Sequence, residues 1–209
     1  MSRSREFEIS IQIFKRMKKI LFVAVLALAS MMMYAQPRAI GGRLGEFNGF
    51  SYQHGFGESN MLEIEAGFNI GNAWGNRMVG WENGTKWNMH GHNIQVAVTY
   101  DWIDPCGAKF PTIEKGEWHW YMGLGAAGGF GWYGYTSTSA GVVGADGNWG
   151  FAAGVGRVGV EYDFWFPLQL SVDWRPTLGA GLVDAGSLGT QAGLYYDLFG
   201  LCLGVRDKF

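Results

Sequence analysis

The feature that most constrains this chain is a strict two-residue alternation of apolar with polar or small side chains, repeated in segment after segment. Successive side chains of a strand point to opposite faces, so a period of two marks a strand whose two faces differ. From Met61 to Ile70 the apolar set is Leu62, Ile64, Ala66, Phe68 and Ile70, against Glu63, Glu65, Gly67 and Asn69. From Asn93 to Ile103 it is Ile94, Val96, Val98, Tyr100 and Trp102, against Gln95, Ala97, Thr99 and Asp101. Glu117 to Trp132 carries Trp118, Trp120, Met122, Leu124, Phe130 and Trp132 on one parity, with Glu117, His119, Tyr121, Gly123 and Gly125 on the other. Leu168 to Arg175 and Phe199 to Phe209 alternate in the same way. Trp149 to Phe164 changes phase part-way, and a β-bulge near Gly156 would restore its register. With Arg38–Glu46 and Phe50–Phe56, joined at an Asn48-Gly49 hairpin turn, the pattern predicts about eight antiparallel strands.

The connections alternate too. Those near residues 47–49, 71–90, 133–148 and 177–197 are mostly long, and those at 57–60, 104–116 and 165–167 are shorter on average. Short turns at one end and long loops at the other are the habit of transmembrane barrels. The loops 72–90 and 133–148 are expected to be cell-surface segments, suited to adhesion, contact with a surface ligand or immune exposure.

One stretch breaks the interleaving. Residues 17–36 combine basic Lys18 and Lys19, an apolar run from Ile20 to Ala29 and a small Ala35, the layout of a secretory signal peptide. Residues 1–16 then read as a start-site extension, and residues 37–209 as the exported domain. Removing the first 36 residues leaves ten basic and sixteen acidic side chains, a net charge of −6. Phosphate contacts need clustered Lys and Arg, so a nucleic-acid partner is not expected. Cys106 and Cys202 are too few for a disulfide framework.

Bulk decides which face points inward. An eight-stranded barrel has room inside only for side chains that fill it. The apolar parity is rich in large rings, whereas the opposite one mixes glycine and alanine with charge. The rings and aliphatics are therefore expected outside, and Glu63, Glu65, Asp101, Glu117, His119, Arg157, Glu161, Asp173, Arg175 and Arg206 inside as a network filling the lumen. Tyr100, Trp102, Trp118, Trp120, Trp132 and Trp174 are the candidate aromatic girdle, with Phe130 and Trp149 joining Trp132 and Trp174 at the second interface. A soluble lipocalin-like barrel would reverse these faces.

Other motifs carry less. Gly123, Gly125 and Gly128, and again Gly154, Gly156 and Gly159, match a dinucleotide-binding spacing, but no helix pattern follows to hold a pyrophosphate. His90 and His92 lack the neighbouring ligands of a metal site. Glu117 and His119 with a serine such as Ser51 have no spacing that selects a triad. No catalytic residue, cofactor or metal is expected, and the chain reads as non-enzymatic.

Ser51-Tyr52-Gln53-His54, Asp173-Trp174-Arg175-Pro176 and the terminal Leu203-Gly204-Val205-Arg206-Asp207-Lys208-Phe209 are the residues that carry a family likeness. Through them the exported domain resembles small outer-membrane β-barrel proteins of the OmpA/OmpX-like type, particularly those of Bacteroidetes. The resemblance implies an all-β, closed, up-and-down transmembrane barrel in the outer membrane, in contact with its lipid. It also implies that Leu201, Leu203, Val205 and Phe209 form the signal read by the barrel-assembly machinery, although Asp207 stands where such signals usually carry an aromatic. The implied role is structural or one of surface interaction. The rival roles are a narrow porin for small solutes and a lipid A-modifying enzyme.

Overall fold

The structure, a computed structural model, describes residues 37–45, 48–56, 59–69, 77–82, 85–104, 115–138, 141–184 and 190–209. The segment 17–36 expected to be a signal peptide, the expected extension before it and Cys106 lie outside them. Among the described residues there are eleven strands and no helix: β1 (Pro37–Gly45), β2 (Asn48–Phe56), β3 (Asn60–Asn69), β4 (Arg77–Glu82), β5 (Thr85–Ile103), β6 (Gly116–Thr138), β7 (Gly141–Phe164), β8 (Gln169–Trp174), β9 (Thr177–Asp184), β10 (Thr190–Asp197) and β11 (Leu201–Lys208).

Eight of them close into an antiparallel barrel in the order β1, β2, β3, β5, β6, β7, β8, β11, with β11 pairing back onto β1. Register partners can be followed around it. Leu170 faces Val205, then Gly42, Phe50, Ala66, Val96, Gly128 and Ala152 in turn, and Ala152 faces Ala180. The path thus returns to the seventh leg ten residues above where it began, 180 against 170. With strands about 4.8 Å apart and about 3.3 Å per residue, that stagger sets a tilt of roughly 40°.

β3 with β4, β8 with β9 and β10 with β11 are successive pieces of single legs, so the eleven strands make eight legs. The first two legs are short. Beyond their tip β4 pairs with β10, β10 with β9 and β9 with β7, so that β4, β5, β6, β7, β9 and β10 form a second, six-stranded ring above the eight-stranded one. The tube is therefore a barrel with a narrower collar, and both ends of the domain lie at the barrel end, here called the lower end.

Three expectations are corrected. Residues 85–90, 133–138 and 141–148 are strand rather than loop, as are β4 and most of 177–197. The alternation was unreadable there because the register shifts between Trp132 and Gly134 and between Gly91 and His92, which resets parity. Gly156, in contrast, sits in unbroken register with no bulge. The phase change in β7 reflects its surroundings: Trp149, Phe151 and Val155 point into an apolar collar, and below them Val158 and Val160 point out from a charged barrel. β1 ends at Gly45 and β2 begins at Asn48, so Asn48 and Gly49, expected as the hairpin turn, already pair within β2. Gly45, at φ +131°, donates its N–H to Asn48 Oδ1 at 3.3 Å, and Asn48 Nδ2 donates back to Gly45 O at 3.1 Å. The Asn48 side chain thus ties the start of β2 to the end of β1, and the positive φ falls on glycine.

Candidate functional site

Alternation along each strand delivers the polar parity to the axis. Glu63 and Glu65 on β3, Asp101 on β5, Arg157 and Glu161 on β7, Asp173 on β8, Arg175 just after it and Arg206 on β11 are all buried. Arg43 from β1 joins them at 0% exposure. Glu63 is the hub. It accepts from Arg43 Nη1 at 3.0 Å, Arg157 Nη1 at 2.5 Å, Arg206 Nη2 at 2.6 Å, Ser51 Oγ at 2.6 Å and Gln53 Nε2 at 2.9 Å. Arg157 also reaches Asp101 at 3.0 Å and Asp173 at 3.3 Å, and its guanidinium carbon lies 4.6 Å from the centre of the Tyr121 ring. Arg43 pairs with Asp173 and, at 2.6 Å, with Glu65, which also pairs with Arg175.

With the Arg38–Glu161 pair below, five guanidiniums meet five carboxylates: Arg38, Arg43, Arg157, Arg175 and Arg206 against Glu63, Glu65, Asp101, Glu161 and Asp173. Charges taken out of water are tolerated only when paired and hydrogen-bonded, and here each sign is matched. Glycine makes the room. A Cβ at Gly159 would meet Tyr121 Oη and Asp173 Cβ at 2.6 Å each.

Apolar groups lie below and above this ionic layer. Below it, Met61, Ile103 and Tyr121 form a buried cluster. Above it, Met78, Trp149, Phe151, Val183 and Tyr195 fill the collar. Phe151 and Tyr195 stack with centroids 3.8 Å apart and planes 11° apart, and Trp149 stacks on Phe151 at 5.9 Å. Trp149, expected at an outer interface, is thus an interior residue.

Two network candidates fall elsewhere. The Glu117 side chain is 66% exposed and His119 sits at the lower rim, its Nδ1 2.7 Å from Asp104 Oδ2 and its Nε2 3.5 Å from Glu117 Oε2. They occupy the first turn-proximal positions of β6, where inward parity no longer means enclosure. Arg43, Ser51 and Gln53 were missed as lining residues, and Tyr121 and Gln169, placed on the inward parity, were not counted in the network. For Arg43 parity was the available signal, since it shares a face with Gly41.

The outer wall carries the apolar parity. Leu124 is 65% exposed, Leu203 56% and Leu178 57%, with Leu44, Phe50, Val96, Val98 and Val172 also open. Leu201, Leu203, Val205 and Phe209 all face outward from the last leg. Among the girdle candidates, Tyr100, Trp102, Trp118, Trp132 and Trp174 are exposed and Trp120 is half-buried. Near the lower end the rings run together: Phe56 to Tyr100 at 6.4 Å, Tyr100 to Trp102 at 5.5 Å, Trp118 to Tyr162 at 4.8 Å and Tyr162 to Phe164 at 4.6 Å. Trp174 instead donates its indole N–H to Leu198 O at 2.8 Å, bracing the break between β10 and β11.

No family model, no curated relative and no solved structure matches this chain. Both glycine motifs lie inside strands β6 and β7, where no helix N-terminus is available for a phosphate. Among the described residues no group of His, Cys, Asp and Glu could hold a metal ion. His92 faces outward, the His90 side chain lies outside the described ones, and Cys202 is buried on the inner face of β11.

Proposed function

We propose that this chain is an integral outer-membrane β-barrel protein, exported by its N-terminal signal, with a lumen plugged by ions and aromatics and a structural or surface-interaction role in a Gram-negative envelope. One observation carries the reading: large aliphatic side chains cover the outside while arginines and glutamates fill the inside, the reverse of a water-soluble barrel. A soluble monomer rarely exposes a contiguous apolar patch larger than a few hundred Å², and rows such as Leu203, Val172, Leu124 and Val96 run around the whole wall. Closure fits the same solvent, because a sheet without edges leaves no backbone group unpaired in lipid.

The lower aromatic cluster serves as an interfacial girdle, and the outward Leu201, Leu203, Val205 and Phe209 serve the assembly machinery. The stacked rings over a charge-matched layer favour a closed lumen over a narrow porin. Glu117 and His119, the residues nearest to an enzymatic reading, lie at the rim facing Asp104 with no nucleophile described beside them.

The test is electrophoretic migration of membrane fractions with and without boiling, joined to single-channel recording. A folded barrel that resists carbonate extraction, shifts on boiling and stays silent in planar bilayers is expected. Release by carbonate would refute membrane integration, and steady conductance would refute the plugged lumen.

A further inference from the structure

The apolar belt is not equally tall around the tube. Legs tilted by about 40° gain roughly 2.5 Å along the axis per residue, from a rise of about 3.3 Å. On β5 the outward run among the described side chains is Ile94, Val96, Val98, Tyr100 and Trp102, with exposed His92 above it and Asp104 below. That run is about 20 Å tall. β2 gives the same figure, from Phe56 up to Asn48, whose side-chain amide is tied to Gly45 at the tip of the leg. The next legs are taller. On β6 the outward parity stays apolar or small from Trp118 to Trp132, and on β7 from Phe164 up to Gly150, with exposed Asn148 above. Both runs are about 35 Å tall. The β8–β9 leg keeps its run from Leu170 to Leu182, about 30 Å, before exposed Asp184.

The rings at the lower end follow the same step. Trp102 closes the run on β5 and faces Met122 in register, whereas β6 continues two outward positions lower, to Trp120 and Trp118. A rigid tilt of the tube cannot reconcile the two sides. It raises the belt on one side and lowers it on the other, leaving each height nearly unchanged. The lipid-facing band of a transmembrane barrel is about 25 Å tall, so β2 and β5 fall short of it and β6 and β7 exceed it.

We propose that the barrel holds its bilayer in a wedge, thin beside β2 and β5 and thick beside β6, β7 and the β8–β9 leg. A bilayer meets a short apolar run by thinning and a long one by thickening. On the short side a bilayer of uniform thickness would draw His92 and the Asn48 end of the first hairpin into hydrocarbon, where polar groups lose their water. On the tall side it would leave Phe130 and Trp132 or Phe164 outside the apolar layer. The partner of this surface is lipid, and the inference rests on the reading of the chain as a membrane barrel.

The test uses the full barrel in nanodiscs of dimyristoylphosphatidylcholine, read by amide NMR with two relaxation probes. One is a gadolinium chelate in the water, the other a doxyl group near the lipid chain ends. Amides shielded from gadolinium and relaxed by doxyl are expected from Ile94 to Trp102 on β5 and from Gly150 to Phe164 on β7. The shielded run on β7 should thus be roughly 1.7 times as long as that on β5. Shielded runs of equal length on the two strands would overturn the wedge while leaving membrane integration intact. Amides on both strands that doxyl lipid leaves untouched would instead refute the membrane reading, and the wedge with it.

Discussion

Replacing Glu63 by glutamine probes the ionic layer at its hub. The carboxylate accepts from three guanidiniums, a serine and a glutamine, all inside the barrel. Glutamine keeps the shape, removes the charge and turns an NH₂ group toward arginine donors. Five guanidiniums would then face four carboxylates, leaving one buried positive charge uncompensated. Removing one partner of a buried pair costs about 3–5 kcal/mol, so the folding equilibrium should weaken by roughly two to three and a half orders of magnitude. The assay is equilibrium urea unfolding from lipid vesicles, followed by the boiling-sensitive band shift. Adding Arg206→Met to Glu63→Gln restores the balance of sign, and the double variant should be more stable than the sum of the single effects by about 1–3 kcal/mol. If Glu63→Gln alone shifts stability by less than about 1 kcal/mol, and the two changes add within about 0.5 kcal/mol, mutual neutralisation is not what holds the lumen together.

Leu203→Arg places a cation on the outer wall and should lower stability in bilayers by about 2–4 kcal/mol, measured by the same unfolding titration; a change within about 0.5 kcal/mol, normal for a water-exposed surface, would contradict lipid contact. Gly159→Val drives a side chain into Tyr121 and Asp173 and should cost about 1–3 kcal/mol by overpacking, visible as a lowered urea midpoint. Trp149→Ala empties part of the collar and should cost about 3–5 kcal/mol, yet bilayer recordings of the variant should remain silent because the ionic layer below is intact.

The lower barrel was legible because its strands obey one parity from end to end. Leu62 to Phe68 and Ile94 to Trp102 announce both faces, and the structure closes eight strands into an antiparallel barrel as the alternation implies. The collar was hidden for two physical reasons. Displaced register near Tyr133 and His92 exchanges inward and outward positions, so the string no longer alternates although the backbone remains strand. The lining also changes chemistry half-way up, and Trp149 and Phe151 look like lipid-facing rings until their position above the charges is known. Glu117 shows the converse limit. It has the parity of the network but lies at the first turn of its strand, and a two-residue period carries no information about depth. Arg43 was readable in principle, yet one charge between glycines on a short strand offers too few repeats to define a face.

The last leg makes both seams of the tube. Its end, Leu201–Lys208, joins the first strand, and its beginning, Thr190–Asp197, joins β4 in the collar. Neither ring can be sealed without this one leg. In its absence every other leg belongs to an open sheet with two bare edges. Both closures thus hang on a single element, and a chain lacking it would fail to complete either circle.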